Sequence, residues 1–518
     1  MNSILCLIIL SFLCSVALGQ APKSTPKPAQ GAGSKPAAQP QAQKPEVKED
    51  CGCESKAPPD VVATINGVRL TIKDIDDLLK PKIEELRQQV IEARKKELDL
   101  QINSKLLEAE GARRGLSASK LIDAEVIDKT VEPTEADAQA FYDQNKARIP
   151  GDFASVKKDI VDYLRNQRQR EQAARFAERL RASSDVKVLV KDVTPATTAA
   201  ERARVLATVN GKPITSGDVE DSLKPLIYDV QEQIYNLRKT QIDLKVNDTL
   251  LEQEAAKKKV TTRALLDAEV APKIKAVTDE DAKKFYDENM SRINGEYEPV
   301  REQIKEYLKQ QEERKVLGDY ATALRKASAV TVSLPEPEAP SYKIDTEGQP
   351  WKGAEKAEVT IIEFTDFQCP MCAKTHPILD ELVKEYNGKV RLVVRDYPLP
   401  QHENALKAAE AAEAAREQGK YWEFVSLMFE NQKELGVDKL KEYAARLGLD
   451  RKKFDEGLDS GKFATQVQKD LQEGLKIGVN STPSVYVNGV MIKDRTREGL
   501  KAGIEAAIKP GADGKASK

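Results

Sequence analysis

The sequence predicts a multidomain chain: two mainly α-helical repeats with small β elements, followed by an α/β domain. Three observations carry this. The chain aligns with itself without a gap at an offset of 144, from about residue 61 to 190. Inside those blocks apolar residues recur at helical spacing, as at Leu98, Ile102, Leu106 and Ala109. After a proline-containing linker, 335–350, the pattern changes at Trp351 to short apolar runs alternating with helical segments. A length of 518 residues fits three or so domains, and 40% hydrophobic content can fill their cores. Charged residues make up 32% but leave a net charge of only −2, so the signs are mixed. That argues against nucleic acid as a partner and reads as solvated helix faces.

At the N-terminus, Ser3 to Gly19 is one apolar run with small residues at Ala17 and Gly19, and a proline-rich polar stretch follows. Residues 1–19 therefore read as a secretory signal cleaved after Gly19, which places the protein in the periplasm or outside the cell. The run lacks a preceding Lys or Arg, so an uncleaved N-terminal membrane anchor is the alternative. Cys14 follows Phe12-Leu13 rather than the small residues of a lipidation signal. Residues 20–60, rich in Pro, Ala, Lys and Gln, read as a flexible arm. Cys51-Gly52-Cys53 near its end reads either as a structural disulfide, within a small loop or between chains, or as a second redox relay or soft-metal clip.

The repeats span 61–192 and 205–334. Each opens with a hairpin signal turned by Asn-Gly, VVATINGVRL and VLATVNGKPI. Thr71 with Asp74, and Thr215 with Asp218, are spaced to cap the helix that follows. Pro81 and Pro225 should start or kink a helix. A break at Pro133-Thr134, and at Val277-Thr278, precedes another helix, and a long charged helix follows Gly151 and Gly295. Val186–Val190 and Val330–Leu334 are β-rich runs that should pair with the opening hairpin of their own copy.

The order of these motifs, with LLEAEGARRGL or LLEQEAAKKKV, PTEADAQAFYDQN or TDEDAKKFYDEN, and a terminal VKKDIVDYLRNQRQRE or VREQIKEYLKQQEER, resembles the chaperone domain of SurA-like and PrsA-like secreted foldases. The resemblance implies a helical cradle for unfolded chains. The parvulin isomerase domain common in that family has no room in the short links 146–153 and 290–297, so prolyl isomerase activity is not expected.

In the domain at 351–510, Val359 to Phe364 reads as a buried strand and Pro370 to Tyr386 as a helix, which puts Cys369 at the strand-to-helix turn. Unpaired N–H groups and the helix dipole there favour a thiolate. Cys372, one turn on, is placed to attack a mixed disulfide at Cys369. Neither His376 nor His402, the only histidines, supplies a second ligand pair at zinc spacing, so a redox dithiol is the reading and no metal is expected. The only redox group expected is the Cys369–Cys372 disulfide. A strand at Val390 to Tyr397, a helical section from His402 to about Leu475, a hairpin turned by Asn488-Gly489 and a last helix from Thr496 to Ile508 follow; 511–518 is a tail.

EFTDFQCPMC, DYPLPQHENA and IGVNSTPSVYVNG closely resemble the DsbA-like oxidoreductases, a thioredoxin fold with a helical insertion. The resemblance implies that Pro483, after Thr482, is a cis-proline beside the cysteines where an extended substrate is held. It implies that Glu363 is a buried acid able to relay a proton, and that Pro377 kinks the helix. Pro370 and Met371 set the redox tuning. Where the best-known pattern has histidine, Met371 brings no cation, so a less acidic Cys369 and a less oxidising disulfide are expected. His376 reads as a helix-face residue rather than a substitute for that histidine, and His402 as capping or packing locally.

The expected function is an extracytoplasmic thiol-disulfide oxidoreductase acting on unfolded exported proteins held by the helical modules. A membrane redox partner is implied by the resemblance, and the repeats or the Cys51/Cys53 arm could hold a homodimer. The alternatives are a disulfide isomerase or reductase of the DsbC/DsbG type, and a non-enzymatic periplasmic holdase.

Overall fold

The computed structural model describes residues 51–53, 57–290, 292–293 and 295–508. The expected signal at 1–19, the tail at 511–518 and most of the arm lie outside the described residues. Two compact units emerge, and each draws on both sequence repeats: 53–89 with 229–338 form one, while 90–228 belongs to the other together with 339–508.

The first repeat supplies β1 (Val61–Ile65), β2 (Val68–Thr71), α1 (Ile72–Arg114), α2 (Glu135–Asn145), α3 (Phe153–Ala182) and β3 (Val186–Val188). The second supplies β4 (Val205–Val209), β5 (Lys212–Thr215), α4 (Ser216–Lys258), α5 (Asp279–Asn289), α6 (Tyr297–Lys326) and β6 (Val330–Val332). Asn66 and Asn210 turn the hairpins at φ 47° and 48°, with Gly67 and Gly211 also left-handed, the backbone an Asn-Gly turn of this type needs. Thr71 and Thr215 donate their N–H to Asp74 and Asp218 at 2.9 and 2.7 Å, and each aspartate N–H returns a bond to the threonine hydroxyl at 3.2 Å. Pro81 and Pro225 do not divide the chain: each lies inside a continuous 43-residue helix.

The closing strands differ from expectation. β3 pairs with β4, the hairpin of the second copy, whereas β6 pairs with β1, the hairpin of the first. The apolar cores follow suit. Leu98, Ile102 and Leu106 of α1 pack with Phe176 and Leu180 of α3, and with Leu206, Ile214 and Val219 from the second copy. Val62, Ile65 and Ile75 from the first copy pack with Ile242, Val246 and Leu250 of α4. The length of the helices explains the exchange. At 1.5 Å per residue, Leu98 lies about 40 Å of helix beyond Ile72, so a hairpin joined to the start of α1 cannot fold back onto that stretch.

In the C-terminal domain a five-stranded sheet runs β11 (Val490–Ile492), β10 (Ser484–Val487), β8 (Val359–Thr365), β9 (Val390–Asp396), β7 (Trp351–Gly353). β8 and β9 are parallel, joined by α7 (Pro370–Glu385); the other pairings are antiparallel. Between β9 and β10 lie five helices, α8 (Ala405–Glu417), α9 (Tyr421–Glu430), α10 (Val437–Arg446), α11 (Arg451–Asp459) and α12 (Ala464–Lys476), and α13 (Arg497–Ile508) ends the domain. Alternation along β8 serves two cores. Val359 and Ile361 pack with Leu379 and Leu382 of α7, while Ile362 and Phe364 pack with Tyr397, Val479 and Tyr486.

Part of the expected linker belongs to this domain. Ser341 bridges to Val490, the Tyr342 N–H donates to Gly489 O at 2.9 Å, and buried Gln349 donates to Asp470 at 2.8 Å. The expected arm likewise ends in packed structure: Cys51 and Cys53 are buried and disulfide-bonded, and the Arg94 Nη1 donates to Cys51 O at 2.5 Å. Oxidised sulfurs of this kind are not thiolate ligands for a metal clip.

Candidate active site

β8 ends where α7 begins, and the connecting turn carries the dithiol. Cys369 is the N-cap of α7 with φ −75° and ψ 122°, and Pro370 takes the first helical position, where its missing N–H costs nothing. Asp366 shapes the turn: its carbonyl accepts from the Cys369 N–H at 3.0 Å, and its Oδ1 accepts from the Gln368 N–H at 2.7 Å. The Gln432 side chain donates to the carbonyls of Phe367 and Cys369 at 3.0 and 2.9 Å.

The register of the sheet brings the second half of the site. β10 pairs with β8 so that Ser484 faces Phe364, which sets Thr482 and Pro483 beside the end of β8. The Thr482–Pro483 bond is cis. The Cys369 Sγ lies 3.5 Å from the Thr482 carbonyl oxygen, and Arg495 Nη1 donates to Pro483 O at 3.0 Å.

The two thiols are free and differ in proton affinity. Cys369 is pulled down to about 5, first by the hydrogen bond from Cys372, then by Thr482 and by the N–H groups of Cys372 and Met371, against a burial effect that opposes it. Cys372 is pushed far upward by burial, then by its bond to Cys369 and by the nearby Glu363 charge. The two shifts run in opposite directions, favouring the thiolate at Cys369 and the protonated thiol at the more deeply buried Cys372. Met371, between them, is exposed.

Glu363 is fully buried on β8. Its Oε2 lies 2.7 Å from His376 Nδ1 and its Oε1 accepts from the Thr365 hydroxyl at 3.3 Å. The helix face that carries His376 is turned inward: the ring is buried, stacked on Trp422 at 6.2 Å and against Phe429 at 5.1 Å. The spacing did hold a signal, since His376 lies one helical turn past Cys372, but only packing of α9 over α7 turns that position inward. His402 reaches further than a local cap. Its Nδ1 lies 2.8 Å from Asp366 Oδ2, which also accepts from the Leu399 N–H at 2.8 Å, so the PLPQH loop is tied to the cysteine turn. Pro377 lies inside α7. Among the described residues, no group of three or more His, Cys, Asp or Glu could hold a metal ion.

This fold and this dithiol define the C-terminal domain as a thioredoxin-fold domain with a paired-cysteine site at the start of a helix. Residues 345–506 match the thioredoxin family. Similar curated proteins include the Na(+)/H(+) antiporter NhaA 3 of Salinispora tropica, 38% identical over 170 residues, covering 33% of this chain and 25% of that protein. Another is the Na(+)/H(+) antiporter NhaA of Herminiimonas arsenicoxydans, 36% identical over 146 residues, covering 28% of this chain and 23% of that protein. The chain thus spans about a quarter of the length of these relatives. Among solved structures, oxidised BdbD from Bacillus subtilis is 28% identical with a TM-score of 0.31, covering 34% of this chain and 100% of that one. A thioredoxin-like oxidoreductase from Silicibacter pomeroyi is 27% identical with a TM-score of 0.28, covering 31% and 92%. Among the described residues, no helix is long and apolar enough to cross a membrane.

Proposed function

We propose that this protein is an extracytoplasmic thiol-disulfide oxidoreductase acting on unfolded or folding exported proteins, with the helical modules serving as SurA-like client-binding elements. The observation that carries the reading is the divergence of the two thiols, Cys369 lowered to about 5 and Cys372 raised, beside the Thr482–Pro483 segment. In the oxidising direction a client thiolate attacks Cys369 in the Cys369–Cys372 disulfide, and Cys372 departs and takes up a proton. A second client thiolate then attacks the client sulfur of the mixed disulfide. The client disulfide forms and Cys369 leaves as the stabilised thiolate. Thr482 and Pro483 offer backbone groups to an extended client segment as an added strand. A membrane-bound redox partner would reset the dithiol.

Operation as an isomerase or reductase is a second reading, favoured by one observation: the exposed Met371 supplies no cation to the thiolate. There the Cys369 thiolate attacks the client disulfide and Cys372 resolves the mixed species.

The test is Cys372→Ser in the full chain. Exchange chemistry predicts disulfide-linked complexes with exported proteins through Cys369, released by reductant; a holdase without exchange would yield none. Residues 61–334 expressed alone should suppress aggregation of an unfolded client, and failure to do so would remove the chaperone part of the reading.

A further inference from the structure

Cys372 and Glu363 are both at 0% exposure, yet thiol exchange changes the protonation of Cys372 at every turnover. It takes up a proton after leaving a disulfide, or gives one up before attacking one. A sealed thiol needs a path for that proton. The Thr365 hydroxyl donates to Glu363 Oε1 at 3.3 Å, and the same side chain lies beside Cys372, whose thiolate it favours. Glu363 Oε2 is 2.7 Å from His376 Nδ1. Across the ring, His376 Nε2 is 3.7 Å from Asp380 Oδ1, and the Asp380 side chain is 27% exposed. The aromatic faces of Trp422 and Phe429 from α9 fix the ring plane, so Nδ1 faces inward and Nε2 faces the surface.

We propose that His376 carries protons between the buried Glu363 and the partly exposed Asp380, completing a route through Thr365, Glu363, His376 and Asp380 by which Cys372 exchanges its proton with solvent. This rests on the exchange reading above. The charged groups recorded against the ring are Glu363 from β8 and Asp380 from its own helix, with Lys352 from β7 paired to Asp380. Lys352 pairs with Asp380 while lying over the Trp422 ring at 4.1 Å, so the outer end of the route is held in place.

The step balances. With a client joined to Cys369, the Cys372 thiol gives its proton to the Glu363 carboxylate, and the thiolate attacks the Cys369 sulfur. The Cys369–Cys372 bond forms, the Cys369–client bond breaks and the client leaves as a thiolate, reduced as the protein dithiol is oxidised. Glu363 passes its proton to Nδ1, and the Nε2 proton leaves toward Asp380 and water. In the opposite direction the same proton runs inward to the departing Cys372.

The experiment uses the full reduced protein and 5,5′-dithiobis(2-nitrobenzoate). Attack by Cys369 releases one thionitrobenzoate, and closure by Cys372 releases the second, so the two phases report the two cysteines. His376→Phe keeps an aromatic ring between Trp422 and Phe429. It should leave the first phase unchanged, and it should slow the second about tenfold or more near pH 7, the scale of lost general acid–base assistance. The deficit should shrink as the pH rises and solvent base takes over. Asp380→Asn, near the surface, should slow the second phase by roughly threefold with the same pH trend, and it decides the matter should His376→Phe not fold. An unchanged second phase, or one slowed by the same factor at every pH, would overturn the proton route alone. Absence of either phase in the unsubstituted protein would overturn the exchange reading and this proposal together.

Discussion

The sulfur of Cys369 lies 3.5 Å from the carbonyl oxygen of Thr482, 113 positions along the chain, so the cysteine turn and the cis-proline segment meet in space. The hydrogen bond from Cys372 is the leading influence on that sulfur and lowers it to about 5. Alkylation of the reduced protein by iodoacetamide should therefore titrate near pH 5 at Cys369, while Cys372, shielded by burial, stays unreactive through neutral pH. A folded value depressed from 9.0 to about 5 stabilises the reduced fold fully above the unfolded value, and that gain is lost as the pH falls through 5. Urea melts of the reduced and oxidised forms should converge correspondingly in acid.

Met371 projects into solvent between the two cysteines, so a substitution there changes charge without repacking a core. Met371→His should lower the Cys369 titration further and raise the reduction potential by about 30 mV, equivalent to about 1.4 kcal/mol. Equilibration with glutathione measures it; an unchanged or lowered potential would refute the assignment of Met371 as a tuning position.

Arg94 and Glu220 belong to different repeats and meet at 2.7 Å with side-chain exposures of 1% and 9%. Arg94→Met strands the Glu220 charge and removes a donor from Cys51 O, and should cost about 3–5 kcal/mol in denaturant unfolding. Replacing Glu220 by Leu in the same chain should recover most of that loss, because the cost lies chiefly in the unpaired buried charge.

Ile65 stands on the first hairpin but packs with Ile242, Val246 and Leu250 of the second copy. Ile65→Ala should cost about 2–5 kcal/mol and raise hydrogen exchange in 242–250 and in β6. Protection around Leu98, Ile102 and Leu106 should hold. The reverse pattern would mean that each hairpin stays with its own copy.

Much of the site was legible in local sequence. An apolar run, a cysteine, proline and a second cysteine ahead of a helical period fix where the dithiol sits, because strand, cap and helix start are short-range events. Helix starts at Thr71, Thr134, Thr215 and Thr278 were legible for the same reason, each threonine bonding within three residues. The buried setting of His376 is not legible in sequence, because its neighbours Glu363, Trp422 and Phe429 come from other elements. Asp366 and His402 went unpaired in the sequence for the same reason: 36 residues separate them, and a strand and helix must fold before they meet.

The sequence by itself determined the duplication, the hairpins, the caps and the cysteine turn, all set by backbone preferences and hydrogen bonds spanning a few residues. Tertiary structure alone decided which copy each hairpin joins, since that depends on where a 43-residue helix carries its apolar face. It also decided that Glu363 and His376 share a sealed interior with Cys372, because burial is a property of packed layers and no single segment encodes it.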